Sequence, residues 1–432
     1  MSFRYELKLR PRARQSRDDP AETFYWPADG SSSFSAPFGP RLGAIGDVPP
    51  LNVDLVRLAL LVFAADRSTI RRVGSTNWSS RDFFLTVPVS DAQLWEGVSA
   101  ELGSLLEFLT GDAWMLEFRI ARPPREQVAI QLDLLKPSRV VLMSGGADSA
   151  LGVLESRRQL DHDEAHMLVS HVGLTALAPT QRKVAETAST IAPGPTQSVE
   201  QIHVVRRQRQ VDGSKFKNEP SSRSRSLLFL ALGLAHASLH RVPLWIPENG
   251  FASLNPPLAP NRRGSLSTRT THPAFLAGLS RILDGVGAHS DIANPFARMT
   301  KGEMFRSAAE RHGGAAISDF LSATHSCGLT GQRSKGIPTT TQCGVCFGCV
   351  VRRASFAASG LNDATAYADA SRSNDLAKWL DKNSVIPDMR RFVMRGVTRK
   401  DLLAINLPED YSFREALGLC ERGVQELREF VS

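Results

Sequence analysis

Val140-Val141-Leu142-Met143-Ser144-Gly145-Gly146-Ala147-Asp148-Ser149-Ala150 joins an apolar run to a Ser-Gly-Gly bend and then to a helical start near Asp148. A short apolar run bounded by a turn reads as a buried parallel strand, and ligands of open α/β sheets gather at the carboxyl ends of such strands. Two glycines let backbone amides approach an anion, and the free amides at a helix start donate to it. Ser144 and Ser149 add hydroxyls, and Asp148 is placed to orient the loop or help hold Mg²⁺. No Gly-Lys-Ser/Thr follows, which excludes a Walker loop. The plain alternative is a strand-turn-helix corner that needs glycine for shape alone.

Outward from this stretch, apolar strands alternate with helical patterns. Arg139 to Met143 precedes a helix from Asp148, Ala165 to His171 precedes one from Pro179, and Ser198 to Val205 precedes one from Ser226. This alternation predicts βαβ units and a parallel sheet covered on both faces, in a domain of residues 129–360. Two long connections interrupt it. Val211 to Arg225 is basic and Ser-rich, and Gly250 to Pro273 is rich in Pro, Arg, Ser and Thr; loops of that length are lids, binding loops or disordered.

Residues 1–128 read as an N-terminal α+β domain with an accessory or partner-docking role. Strands are expected at Tyr5 to Arg10, Phe83 to Val87 and Trp114 to Ile120, and a helix at Asp91 to Leu109 whose apolar face carries Leu94, Trp95, Val98, Leu102, Leu105 and Leu106. Residues 361–432 read as a helical C-terminal extension, with helices at Asp375 to Lys382, Arg399 to Ile405 and Phe413 to Phe430.

The chain has 432 residues, 42% hydrophobic and 22% charged, an ordinary globular composition that argues against wholesale disorder. The apolar runs are too short for a membrane span and the first twenty residues show no signal peptide, so a soluble, cytoplasmic protein is expected. Net charge is +8, and Lys is only 10 of the 52 basic residues. A basic surface favours polyanions: nucleotides, an acidic protein partner, or nucleic acid, which is possible but not favoured.

Cys327, Cys343, Cys346 and Cys349 lie within 23 positions, as two overlapping C-x2-C units with one distant partner. Four thiolates at this spacing suit a closed tetrahedral Zn²⁺ of the structural type. Soft sulfur also accepts iron–sulfur clusters, so ligand type alone leaves the metal open, with zinc preferred. Cys420 stands apart in a helical pattern and reads as a small core residue.

The run Ser144 to Ser149 resembles the PP-loop signature SGGxDS, and together with the CGxCxxC cluster the chain resembles the QueC family, the cyano-deazaguanine synthases of the queuosine pathway. Arg225 to Leu230 is similar to that family's ARNxxFL helix start, and Asn294-Pro295-Phe296 with Thr300-Lys301-Gly302-Glu303 to its "PL…TKAE" turn. Ser326-Cys327 and Cys349 to Arg352 are similar to its "SCY" and "CxxR". The likeness covers about half the chain. Arg269 to Pro273 stands where the family has "YPDCR", the metal loop before Cys343 is longer, and residues 1–128 and 361–432 have no counterpart. That long layout resembles QueC-like members of anti-phage defence operons, of the QatC and type IV CBASS kind.

The resemblance implies a HUP-like, Rossmann-type fold and an ATP-dependent C–N ligase. A deazaguanine carboxylate attacks the α-phosphate of ATP, pyrophosphate leaves, and an amine captures the acyl-adenylate. In a defence paralogue the acceptor is expected to be a partner protein from the same operon, through its N-terminus. An α-amino group keeps a substantial neutral fraction near neutrality, against about one part in a thousand for Lys. Ser144, Gly145, Gly146, Asp148 and Ser149 would bind pyrophosphate and Mg²⁺, with Asp148, Lys301 and Arg225 as the catalytic set and His171 and His272 as further candidates. Ammonia-dependent nitrile synthesis, a tRNA-modifying PP-loop enzyme and a nucleotide-binding scaffold without turnover are the rivals.

Overall fold

The computed structural model describes residues 2–10, 21–71, 80–129, 136–173, 175–220, 223–256, 269–329, 335–403 and 405–431. Two parallel sheets organise it. The first contains β1 (Ser2–Lys8), β2 (Glu22–Tyr25), β4 (Asp82–Val89) and β5 (Ala113–Ile120), in the order β2-β1-β4-β5. The second contains β6 (Arg139–Leu142), β7 (Ala165–His171), β8 (Thr196–Ile202), β10 (Leu244–Trp245) and β11 (Ile292–Ala293), in the order β11-β10-β6-β7-β8. The two sheets are tied by a short antiparallel pair, β3 (Phe34–Ser35) with β9 (Val205–Arg206).

In the N-terminal α+β unit, helix α1 (Pro50–Ser68) crosses from the first sheet's edge side to β4, and α2 (Ala92–Glu96) and α3 (Ser99–Thr110) lead to β5. The helix expected over Asp91 to Leu109 is interrupted at Gly97 and Val98. Helix α1 carries apolar residues all round, so it must be covered on all sides. It packs on its own sheet and on α6 (Arg225–His240) of the second, and one apolar cluster runs through both units, also taking in α8 (Pro273–Val286).

The charges grouped around Asp66 and Asp112 in this seam are paired. Asp66 accepts from the Arg223 and Ser224 amides (2.9 and 3.1 Å) and from the Ser224 hydroxyl, capping the approach to α6, and it meets Arg81 at 2.5 Å. Arg81 and Arg71 also reach Asp112, at 2.7 and 2.5 Å. A buried charge stripped of such partners costs about 3–5 kcal/mol.

The second sheet is covered by α4 (Ala147–Gln159) and α5 (Ala178–Ile191) on one face and α6 on the other. After β10 come α7 (Gly250–Leu254) and α8, and after β11 come α9 (Lys301–His312) and α10 (Gly314–Ser322). The C-terminal helical region contains α11 (Phe347–Ser359), α12 (Asn374–Asn383), α13 (Ile386–Arg395), α14 (Arg399–Leu403) and α15 (Phe413–Val431). Among the described residues no helix is long and apolar enough to cross a membrane.

Three imidazoles lie deep in these cores. His166, His236 and His272 are each at most 4% exposed, and burial pushes all three down to about 4. Depressed folded values mean that the unfolded chain binds more protons between about pH 4 and 6.5. Their contribution is therefore present above pH 6.5 and lost as the pH falls through 4. Urea midpoints measured across that window are expected to fall steeply on acidification, and His166→Gln to flatten the fall; equal slopes in the two proteins would contradict it.

Candidate functional site

At the carboxyl end of β6 the chain turns through Ser144 and Gly145 into α4. Gly145 has φ +87°, a left-handed conformation that favours glycine, and a Cβ there would press on Gln181 Cγ at 3.1 Å. Ser144 Oγ lies 3.1 Å from Ser149 Oγ and accepts from the Gly146 amide at 3.3 Å. Gln181 of α5 donates to the Ser144 carbonyl at 3.2 Å. Gly146 is the N-cap of α4 and offers no side chain to its first amides, which leaves that turn to an outside acceptor.

Asp148, in the first turn of α4, meets Lys301 at 2.7 Å. Lys301 opens α9, where Thr300 and Glu303 form a reciprocal capping box. That start is braced from the C-terminal region: Glu426 of α15 accepts from the Thr300 hydroxyl and, at 3.0 Å, from the Gly302 amide.

Glu248 and Asn249 escape motif reading. They follow β10, the strand beside β6, and Asn249 donates to Asp148 at 3.3 Å and to Glu248 at 3.0 Å while capping α7. Asn294 fixes the Glu248 backbone, donating to its carbonyl at 2.8 Å and accepting from its amide at 3.2 Å. Glu248 keeps part of its surface open, yet the surrounding protein and then the Asp148 charge push its carboxyl up to about 8. Two carboxylates, a lysine and a glycine bend thus share one mouth. The available signal was an acid just after an apolar parallel strand.

The Pro247–Glu248 segment lies hard against α4. A Cβ on Gly152 would stand 2.1 Å from Pro247 Cγ. Alanine is the better helix former by about 1 kcal/mol, but this overlap must move the segment holding Glu248. Gly152→Ala is expected to cost about 1–3 kcal/mol net, read as a lower urea midpoint; an unchanged or raised midpoint would show that Pro247 yields freely.

The other candidates separate. Arg225 lines a cavity with His171 and Gly173 at the ends of β7 and β8, where His171 Nε2 lies 3.2 Å from the Val204 carbonyl. His272 caps α8, accepting from the Ala274 amide at 3.1 Å, with its ring edge-on to Phe108 of α3. Arg269 likewise sits over Phe108, and Thr270 bonds Ser226. Part of the Gly250 to Pro273 connection forms α7; residues 257–268 lie outside the described residues.

The four clustered cysteines converge: their sulfurs all lie within 4.8 Å of one another, and all four residues are buried. Amides of Leu329 and Cys343 donate to Cys327 Sγ at 3.4 Å, and that of Cys346 to Cys343 Sγ at 3.3 Å, the support a thiolate set needs. Four buried soft donors this close together fit a bound metal ion such as zinc. Cys420 lies apart in the core under α15.

The cluster also reaches the glycine bend. His325, two residues before Cys327, donates its amide to the Gly145 carbonyl at 2.9 Å. Fully buried Arg352 of α11 holds the same segment through Thr324 at 2.7 Å and the Leu321 carbonyl.

No protein-family model matches this sequence, and no curated protein matches it.

Proposed function

We propose that the chain is an ATP pyrophosphatase of the PP-loop kind, which activates a carboxylate as its adenylate and passes the acyl group to an amine. The observation that carries this reading is the juxtaposition of the Ser144–Ser149 bend with the Asp148–Lys301 pair at the end of the central strand. In the reaction a carboxylate oxygen attacks the α-phosphorus, the bond to the bridging oxygen of the β-phosphate breaks, and pyrophosphate leaves. The amine nitrogen then attacks the acyl carbon, losing a proton as AMP departs.

The bend's amides and serine hydroxyls would hold the departing diphosphate, and Lys301 would offset its growing charge. Asp148 and Glu248 would hold Mg²⁺, which when bound supplies charge stabilisation at the phosphates. The thiolate cluster would hold zinc as a structural ion.

In this reading residues 129–360 are the catalytic domain, 1–128 a docking domain and 361–432 a helical extension. The motif likeness to the QueC family makes a deazaguanine carboxylate the proposed acid. The two extra regions make a partner protein's N-terminus the proposed acceptor, in bacterial anti-phage defence inside the cytoplasm.

Incubating the protein with ATP labelled at the α-phosphate, Mg²⁺, the base and a candidate acceptor tests it. AMP with pyrophosphate and a mass adduct on the acceptor are the expected products. ADP with orthophosphate would refute the cleavage chemistry. Nitrile from ammonia alone, or a strict need for tRNA, would redirect the acceptor.

A further inference from the structure

A second opening lies one strand away from the glycine bend. It is a cavity of about 720 Å³ at the carboxyl ends of β7 and β8, and none of its lining residues belongs to that bend. Its walls come from both units: Phe63 and Arg67 from α1, His171 at the end of β7, Arg206 in β9, Lys215 beyond it, and Arg225 from the start of α6. Arg67, Arg206, Lys215 and Arg225 face it; among the described residues no carboxylate lines it and none of the four makes an ion pair.

Arg206 is the most telling of these. It is 93% buried, being 7% exposed, and its Nε has no hydrogen-bond partner. Its other nitrogens meet only neutral acceptors, the carbonyls of Arg207 (2.9 Å) and Lys217 (3.1 Å) and Asn218 Oδ1 (3.4 Å), while its guanidinium lies over the Phe216 ring. Burial, then the charge of Arg67, pushes it down to about 10, against the opposing pull of the Glu22 carboxylate. Arg225 keeps an exposed surface, yet the surrounding protein and then Arg67 lower its guanidinium too. A buried guanidinium that no described carboxylate touches is costly, and the Glu22 carboxylate acts on Arg206 only through space, without a direct ion pair. Forked guanidinium donors match the paired oxygens of a phosphate, and the volume suits one nucleotide-sized molecule.

We propose that this cavity binds a phosphate-bearing small molecule, gripped by Arg67, Arg206 and Arg225 at the seam between the two sheets. The proposal does not depend on turnover at the glycine bend. Because α1 supplies Arg67 and Phe63, the N-terminal unit is part of the site.

Ribose 5-phosphate and glucose 6-phosphate serve as probes, with ribose and glucose as uncharged counterparts, titrated calorimetrically into the full chain at two salt concentrations. Variants are Arg67→Gln, Arg225→Gln and Arg206→Lys, with Asp148→Asn as the control at the bend and thermal melting to confirm folding. The expected result is binding of the phosphorylated probes only, weakened at least tenfold in each folded arginine variant and by added salt, and within twofold of wild type in Asp148→Asn. Absence of binding by both phosphorylated probes overturns the proposal. So does binding that Asp148→Asn abolishes and the arginine variants leave intact, which would place the phosphate at the glycine bend. If Arg206→Lys does not fold, the exposed-side variants Arg67→Gln and Arg225→Gln decide alone.

Discussion

A Cys346→Ser variant is expected to lose its metal, to melt far below the parent protein, and to loosen a glycine bend that contains no cysteine. All four sulfurs lie within 4.8 Å of one another, so none is a spare ligand. Binding of a structural zinc releases on the order of 10–16 kcal/mol in small domains, as much as the whole stability of an ordinary protein. The apolar cluster around the cysteines is small, with Ile337, Leu376 and Leu380 as its fully buried aliphatic members, so little else can hold it together. The effect then travels by a short route, because the His325 amide holds the Gly145 carbonyl. Metal analysis should fall from about one ion per chain to near zero, and amide exchange should quicken at residues 144–149. Cys420→Ser, in the separate core under α15, should keep its metal. A Cys346→Ser protein that retained metal and melted like the parent would falsify the structural-ion assignment.

Asp148→Asn is expected to lower AMP formation by about 10²–10³-fold while the fold survives, the scale seen when one charge-stabilising group is removed from a preorganised site. The variant keeps the side chain's shape and its contact with Asn249, but it removes the charge that pairs with Lys301 at 2.7 Å. It also removes one of the two proposed magnesium-binding carboxylates. Lys301→Met is expected to act on kcat more than on KM, since its charge is needed as pyrophosphate departs. Rates of pyrophosphate release measure both. Equal rates in parent and Asp148→Asn would mean that the bend serves some other purpose, and a pure KM effect in Lys301→Met would reassign the lysine to ground-state binding.

Much of this architecture could be read in advance, for local reasons. Each strand–helix alternation around Val140–Ala150 is written in short apolar runs and turns, and β7 and α4 fall within a residue of expectation. The cysteine cluster was equally legible, because three of its ligands lie within seven positions. What sequence spacing could not convey is distance across the fold. Glu248 meets Asp148 from 100 positions away, and the cationic cavity is assembled from residues 67, 206, 215 and 225, each of which alone looks like a solvated arginine or lysine. Helix α13 is not among the expected helices, although its proline sits in the first turn, where proline is well tolerated. The strand expected over Ser198 to Val205 divides, since Val205 leaves the sheet to pair with Ser35.

Glu426 gives the molecule an order of assembly. The carboxylate that steadies the start of α9 is made 125 residues after Lys301 itself, so a ribosome that has just finished the cysteine cluster has released a loop and a lysine but not the strut between them. A nascent or clipped chain ending before residue 426 would expose Thr300 and Gly302 to water and leave the lysine's helix free to fray. The Asp148–Lys301 pair therefore gains its brace only late in synthesis.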